Sequence, residues 1–361
     1  MTNLDSILKS RDITLSCGAI GLAQTQQAQV IENGGTGPYK SVAIGDESLP
    51  THMIYRPQDL NAYVKENGKI PVLLYANGAC ANNSLEMSRL LSDVASYGYI
   101  VLAIGPYMDM PDEAFYAQWK GVVRGWYPDT KEVAIMGNGE RLTPYTAEEQ
   151  AAIDAEREAA QKAAAAAAKK KKNKKLTLTV QQPAMATYAR QMLEALDWLT
   201  QQDADEASEY YHLIDLEKVA AMGQSCGGAQ VLVVAHDPRI KTCMMFNSGI
   251  GEMSMAGATK KALANLHAPM LYLNGGEADA AYPNANGDWA LIADCIPVVK
   301  ISTLDGHHGT YYEKNAGAYA VVARMWLNWQ LKGMISDSAL FMNDAYGKAF
   351  FPQWTFDRKN W

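Results

Sequence analysis

Short, continuous apolar runs separated by stretches of helical periodicity constrain this chain more than any other feature. Residues 70–76 are apolar without a break and stop at Asn77-Gly78, which is how a strand buried on both faces reads. Residues 100–104 repeat the pattern and stop at Gly105-Pro106. Residues 49–55, 219–222, 240–246, 270–273 and 298–301 are further predicted strands. Between them lie helical patterns. Leu85, Leu90, Leu91, Val94 and Ala95 share one face of residues 84–97, and Met192, Leu193, Leu196 and Leu199 share one face of residues 187–199. Residues 228–235 and 319–331 are also predicted helices. Strand alternating with helix predicts an α/β class with a mostly parallel central sheet and helices on both faces.

The rhythm breaks once, over residues 107–182. The first half of this segment is aromatic (Phe115, Tyr116, Trp119, Trp126, Tyr127). The second, residues 147–175, is rich in Ala, Glu and Lys and helical by propensity. Residues 163–168 are all alanine and 169–172 all lysine, with no stripe of large apolar residues, so this helix is expected to face solvent. Residues 24–106 and 183–361 therefore read as one α/β domain and 107–182 as an insertion. Its aromatic half is expected to form a lid or pocket wall over the sheet's C-terminal edge, where ligands bind in such folds. The lysines read as a solvated helix end rather than a polyanion site.

The whole-chain charge is −7 over 361 residues, which argues against a nucleic-acid partner. Apolar residues make up 48% of the chain, but none of the runs reaches the eighteen or more a transmembrane helix needs. Lys9 and Arg11 precede a mildly apolar stretch ending Gly21-Leu22-Ala23, so residues 1–23 read as a leader or signal-like segment interrupted by Asp12. On that basis a secreted or periplasmic location is favoured over a cytoplasmic one. Five scattered cysteines make neither a disulfide scaffold nor metal-ligand spacing. Cys17 falls in the leader, and Cys80, Cys226, Cys243 and Cys295 read as buried thiols. No metal or cofactor is expected. The aromatic end of the chain, residues 350–361, is expected to pack on the domain.

The chemistry concentrates at Gly223-Gln224-Ser225-Cys226-Gly227, a G-x-S-x-G pattern with a predicted strand before it and a predicted helix after. A sharp strand-to-helix turn there needs glycines and lifts a serine hydroxyl above the sheet edge, as a nucleophile requires. Serine needs a base, and the base needs an acid to orient it. In this order of elements the acid and then the histidine follow the serine. His236 and His267 fall on the wrong side of the sheet. His307 and His308 follow the strand at 298–301 and the turn Asp305-Gly306, and only one of these two neighbours can face the serine. Asp279 follows the glycine turn after the strand at 270–273 and is the chosen acid over Glu277, Asp288 and Asp305. The backbone N–H of Cys226 and that of Ala79, after the strand at 70–76, are the expected oxyanion donors. Gln224, Trp119 and Trp126 are the expected substrate contacts. If both donor loops line one hole, Cys80 and Cys226 lie close together, and a disulfide between them would suit an exported protein.

These motifs resemble the α/β-hydrolase superfamily, on the side of the dienelactone-hydrolase, chlorophyllase and cutinase-like serine esterases. The resemblance runs from about residue 49 to 333 outside the insertion. It rests on Asn77-Gly78-Ala79-Cys80, Gly223 to Gly228, Asp279 and Gly306-His307-His308-Gly309-Thr310-Tyr311. Bacterial relatives carry G-H-G-G-T-Y at the last motif, which aligns the base with His307 and puts His308 where a glycine is usual. The resemblance implies an acyl-enzyme mechanism through Ser225, Asp279 and His307 without metal or cofactor, acting on a small-molecule or polymer ester. A peptidase or amidase with the same machinery, or a binding protein on a hydrolase scaffold, are the alternative readings.

Overall fold

The computed structural model of the protein describes residues 27–31, 34–117 and 187–361. Ten strands form one sheet in the order β1-β2-β3-β5-β4-β6-β7-β8-β9-β10. They are β1 (Gln27–Val30), β2 (Ser41–Gly45), β3 (His52–Pro57), β4 (Ile70–Ala76), β5 (Ile100–Ile104), β6 (Ile214–Gln224), β7 (Ile240–Phe246), β8 (Met270–Asn274), β9 (Val298–Ser302) and β10 (Thr355–Lys359). The six strands from β5 through β9 in this order are parallel to their neighbours. The outer pairs β1–β2, β2–β3, β3–β5 and β9–β10 are antiparallel. This is a mixed, mostly parallel α/β sheet, as the alternating pattern predicts.

Nine α-helices connect and cover it among the described residues. They are α1 (Leu60–Asn67), α2 (Ser88–Ser96), α3 (Glu113–Ala117), α4 (Arg190–Ala204), α5 (Cys226–Val234), α6 (Tyr282–Leu291), α7 (Gly317–Lys332), α8 (Ala339–Met342) and α9 (Asp344–Phe350). Period-two alternation splits the sheet's side chains between two cores. Val72, Leu74, Ile100 and Leu102 face Met192, Leu196 and Leu199 of α4 and Val231 and Leu232 of α5. Leu73, Tyr75, Val101 and Ala103 face Leu90, Leu91 and Val94 of α2 and Ala323, Trp326 and Leu327 of α7. Helices on both faces are why β4 and β5 are apolar without alternation: every residue of each is buried. Each fully buried Leu, Ile or Val contributes about 1.5–3 kcal/mol, so the two clusters dominate the stability.

The end of the chain packs on the domain. Strand β10 pairs antiparallel with β9, and Trp361 stacks on Trp329 of α7 with ring centroids 4.7 Å apart. The cysteines depart from the buried-thiol expectation. Cys80 and Cys226 form a disulfide, Cys243 is a buried thiol, and Cys295, in the loop after α6, is exposed. Of the insertion, residues 107–117 are described. Its helix α3 is held to α2 by Arg89, which bonds both oxygens of Glu113 at 2.9 Å and lies 3.6 Å over the Tyr116 ring. The rest of the insertion and the leader lie outside the described residues. Among the described residues, no helix is long and apolar enough to cross a membrane.

Candidate active site

The parallel registers place the C-terminal ends of five strands side by side. Ala76 of β4 pairs with Gly223 of β6, Gln224 with Phe246 of β7, Phe246 with Leu273 of β8, and Asn274 with Ser302 of β9. The loops after these strands therefore open onto one edge, and four of them carry the residues singled out in the sequence.

Ser225 occupies the turn between β6 and α5 with φ +50° and ψ −119°, a left-handed φ that L-residues adopt only when the surroundings enforce it. Its N–H bonds the Phe246 carbonyl at 3.0 Å, and its own carbonyl accepts from Ser248 Oγ at 2.6 Å and from the Gly228 N–H at 2.9 Å. The glycines answer to space. A Cβ at Gly227 would overlap the Ala76 carbonyl oxygen, and one at Gly223 would overlap the Gly227 backbone. Strand and helix approach so closely that no side chain fits.

His307 joins the serine to the acid. Its Nε2 lies 3.2 Å from Ser225 Oγ and its Nδ1 lies 2.6 Å from Asp279 Oδ1. Asp279 is buried at 1% exposure and accepts further bonds from the N–H groups of Gly275 (2.9 Å) and Ala281 (2.9 Å) and from Asn247 Nδ2 (2.8 Å). Burial alone pushes this carboxyl up. The His307 imidazole and the two amides outweigh it and hold the carboxyl below its ordinary range. An ionised carboxylate can only accept, so Nδ1 of His307 carries the proton and the Nε2 lone pair faces the serine hydroxyl. The two loops are pressed together at their glycines: a Cβ at Gly275 would overlap the Gly306 backbone, and the Gly306 N–H bonds the Gly275 carbonyl at 3.1 Å.

His308 packs against Tyr312, with ring centroids 5.9 Å apart. Burial, then the neighbouring His307, lowers its imidazole to about 4. His267 bonds the Ile240 carbonyl at the start of β7, the opposite edge of the sheet, and His236 bonds Val233 at the end of α5. Among the competing acids, Asp288 is fully buried on α6 and caps the Ile250 and Gly251 amides at 2.9 and 2.8 Å. Among the described residues, no three His, Cys, Asp or Glu side chains cluster as a metal site.

Ala79 lies in the turn after β4, where Ala79 and Cys80 both have positive φ (+54° and +49°). The disulfide ties this turn to the first residue of α5. A polar brace runs parallel to it: Thr187 Oγ1 donates to the Cys80 carbonyl at 2.9 Å and accepts from Gln230 of α5 at 3.0 Å. Gln224 is buried with its carboxamide against Gly78. Trp119 and Trp126 lie outside the described residues.

Two residues of the edge carry no role in the sequence reading, although Tyr311 falls in the motif from Gly306 to Tyr311. Asn247, the first residue after β7, and Tyr311, four residues after His307, bond to each other at 2.5 Å beside Asp279. Asn247 occupies a position equivalent to that of Ser225 on the neighbouring strand. Its place directly after a predicted strand is the one available signal.

Residues 175–342 match the family described as PETase, PET hydrolase-like. The resemblance to cutinase-like α/β-hydrolase esterases holds over that span. The PET hydrolase-like match takes in Ser225, Asp279 and His307, while the turn of Ala79 and Cys80 lies before it. Likeness to the PET hydrolase-like family implies an ester hydrolase in general. No curated protein matches the chain.

Proposed function

We propose that the protein hydrolyses carboxylic esters through an acyl-enzyme on Ser225, with His307 as general base and acid and Asp279 as the orienting acid. The observation that carries this reading is the unbroken hydrogen-bonded chain Asp279–His307–Ser225, with proton positions set by the acceptor-only carboxylate. In the first half-reaction Ser225 Oγ bonds to the ester carbonyl carbon and its proton passes to Nε2. The carbonyl oxygen becomes an oxyanion facing the N–H groups of Ala79 and Cys226. Collapse breaks the carbon–oxygen bond to the alcohol, which leaves with the proton from Nε2. Water then repeats the sequence and releases the acid. Asp279 holds Nδ1–H throughout and stabilises the imidazolium. Each oxyanion donor is worth about 10²–10³ in rate in such sites.

The test is hydrolysis of short- and medium-chain p-nitrophenyl esters, the matched anilides, and poly(ethylene terephthalate) film, the substrate suggested by the matched family's name. Wild type, Ser225→Ala, His307→Ala and His308→Ala are compared, with fluorophosphonate labelling as a second readout. Ester turnover lost in the first two variants and kept in His308→Ala is the expected result. Faster turnover of the anilides would move the assignment to an amidase. A folded wild type that neither turns over esters nor takes the label would make the chain a binding protein on a hydrolase scaffold.

A further inference from the structure

Asn247 is fully buried and holds φ at +45°. Its backbone N–H bonds the Leu273 carbonyl at 2.7 Å, which extends the β7–β8 ladder by one residue and places the carboxamide where the loops after β8 and β9 meet. Nδ2 uses both of its protons. One goes to Asp279 Oδ2 at 2.8 Å and the other to the carbonyl of Gly306, the residue before His307, at 3.0 Å. Oδ1 accepts from the Tyr311 hydroxyl at 2.5 Å. The orientation of the amide follows from its partners: a carboxylate and a carbonyl can only accept, so the NH₂ faces them and the oxygen faces Tyr311. A side chain needed only to fill space would carry no such set of bonds. Here every polar group is used, and two of the three bonds reach the acid itself and the backbone next to the base.

We propose that Asn247, braced by Tyr311, is a positioning residue that sets the Asp279 carboxylate and the His307 loop in one frame. The inference rests on the hydrolase reading above. Ser225 is untouched by it, so the two can fail separately. Asp279 turns Oδ1 to His307 and the Ala281 amide, and Asn247 is the side chain that holds Oδ2, alongside the Gly275 amide. Its N–H dipole also favours the carboxylate form. The other titratable groups facing the pair are His308 on the same loop, Tyr311, and Tyr319 of α7 with Asp305 beside it. The tyrosines are held neutral by burial, and His308 is neutral above a pH of about 4. Loss of the Asn247 donor therefore leaves a more basic Asp279, which stabilises the imidazolium and moves the acidic limb of kcat/KM to higher pH.

The experiment is the pH profile of kcat and KM on one p-nitrophenyl ester for wild type, Asn247→Ala, Tyr311→Phe and Ser225→Ala. Asn247→Ala is expected to lower kcat by about 10–100-fold with KM within roughly twofold, as removal of outer-shell partners does elsewhere. Its acidic limb should rise by roughly half a pH unit or more. Tyr311→Phe removes one hydroxyl without loss of volume, and it should give a smaller fall and a shift of the same sign. If Asn247→Ala does not fold, Tyr311→Phe decides. Folded variants with the wild-type limb and an unchanged kcat overturn the positioning role while Ser225→Ala remains inactive. A Ser225→Ala protein that keeps full activity overturns the hydrolase reading and the role of Asn247 with it.

Discussion

Cys80 and Cys226 have Cα atoms 5.2 Å apart and are joined by a disulfide across 146 residues of sequence. Each is next to, or is itself, a residue whose N–H is proposed to face the oxyanion: Ala79 precedes Cys80, and Cys226 carries its own. Three residues with positive φ, Ala79 and Cys80 in the turn after β4 and Ser225 in the turn after β6, meet at this bond. Closing so long a loop stabilises a fold by about 3–5 kcal/mol, chiefly by restricting the unfolded chain. The Cys80→Ser/Cys226→Ser protein should therefore lose about that much in urea unfolding. If the bond also holds the two donors in register, kcat of the folded variant should fall about tenfold with little change in KM. A variant with the wild-type urea midpoint and kcat would remove both roles.

His308 makes stability depend on pH. Its imidazole titrates near 6.5 when unperturbed and at about 4 in the fold, because burial and His307 disfavour the cation. Between these values the unfolded chain binds more protons than the native state. Stability is therefore complete above pH 6.5 and declines as pH falls toward 4, by on the order of 3 kcal/mol. Asp279, held below its ordinary range, adds its own loss only at lower pH. Urea midpoints at pH 7.5 and 4.5 measure the effect. His308→Gln should flatten the dependence across this window, and an equally steep slope in that variant would assign the loss to other groups.

What was legible in the sequence follows burial. Strands β4 and β5 begin and end where their apolar runs do, because helices cover both faces, and β7 keeps its predicted bounds although Lys241 in it is exposed. Strand β6 is longer than its apolar part: it starts at Ile214 with partly exposed residues and reaches Val219 past a register shift. Strands β1, β2 and β10 were not read as strands. Two of them are half-exposed edges, Gln27–Val30 and Thr355–Lys359, with polar residues where water replaces a covering helix. That Ser225, Asp279 and His307 meet was legible because each follows a strand at a glycine turn, in the chain order that a serine, acid and histidine chemistry would need. Asn247 could not, since an amide carries no periodicity and only the register of β7 against β6 and β8 brings it to the acid, while Tyr311 falls in the motif of His307 but nothing in that motif says that it meets Asn247.

The glycines of the serine turn predict an asymmetry. A Cβ at Gly227 would meet the backbone of Ala76, which cannot move without breaking the β4–β6 pairing. A Cβ at Gly78 would meet only the far end of the Gln224 side chain, which can rotate. Gly227→Ala should cost about 3 kcal/mol or more, or fail to give soluble protein, whereas Gly78→Ala should fold with a loss of about 1 kcal/mol. If the displaced Gln224 carboxamide contacts substrate, Gly78→Ala will raise KM several-fold at unchanged kcat. Equal destabilisation in thermal melts of the two variants would contradict the close approach at Ala76.

Two buried carboxylates at this end of the sheet should separate cleanly by what their loss removes. Asp279 and Asp288 are both almost inaccessible, and both accept a pair of backbone N–H bonds. Asp288 adds Tyr272 at 3.1 Å and fastens the loop after β7 to α6, whereas Asp279 adds Asn247 and His307. In either position asparagine turns one acceptor into a donor facing a donor, so both variants should lose about 1–3 kcal/mol. The rates differ. Asp279→Asn cannot fix Nδ1–H, lets the imidazole take the other tautomer, and should lower kcat by roughly 10³–10⁴-fold. Asp288→Asn, measured on its folded fraction, should stay within a few-fold of wild type. Comparable losses of kcat in the two variants would mean that the acid of this site had been assigned to the wrong side chain.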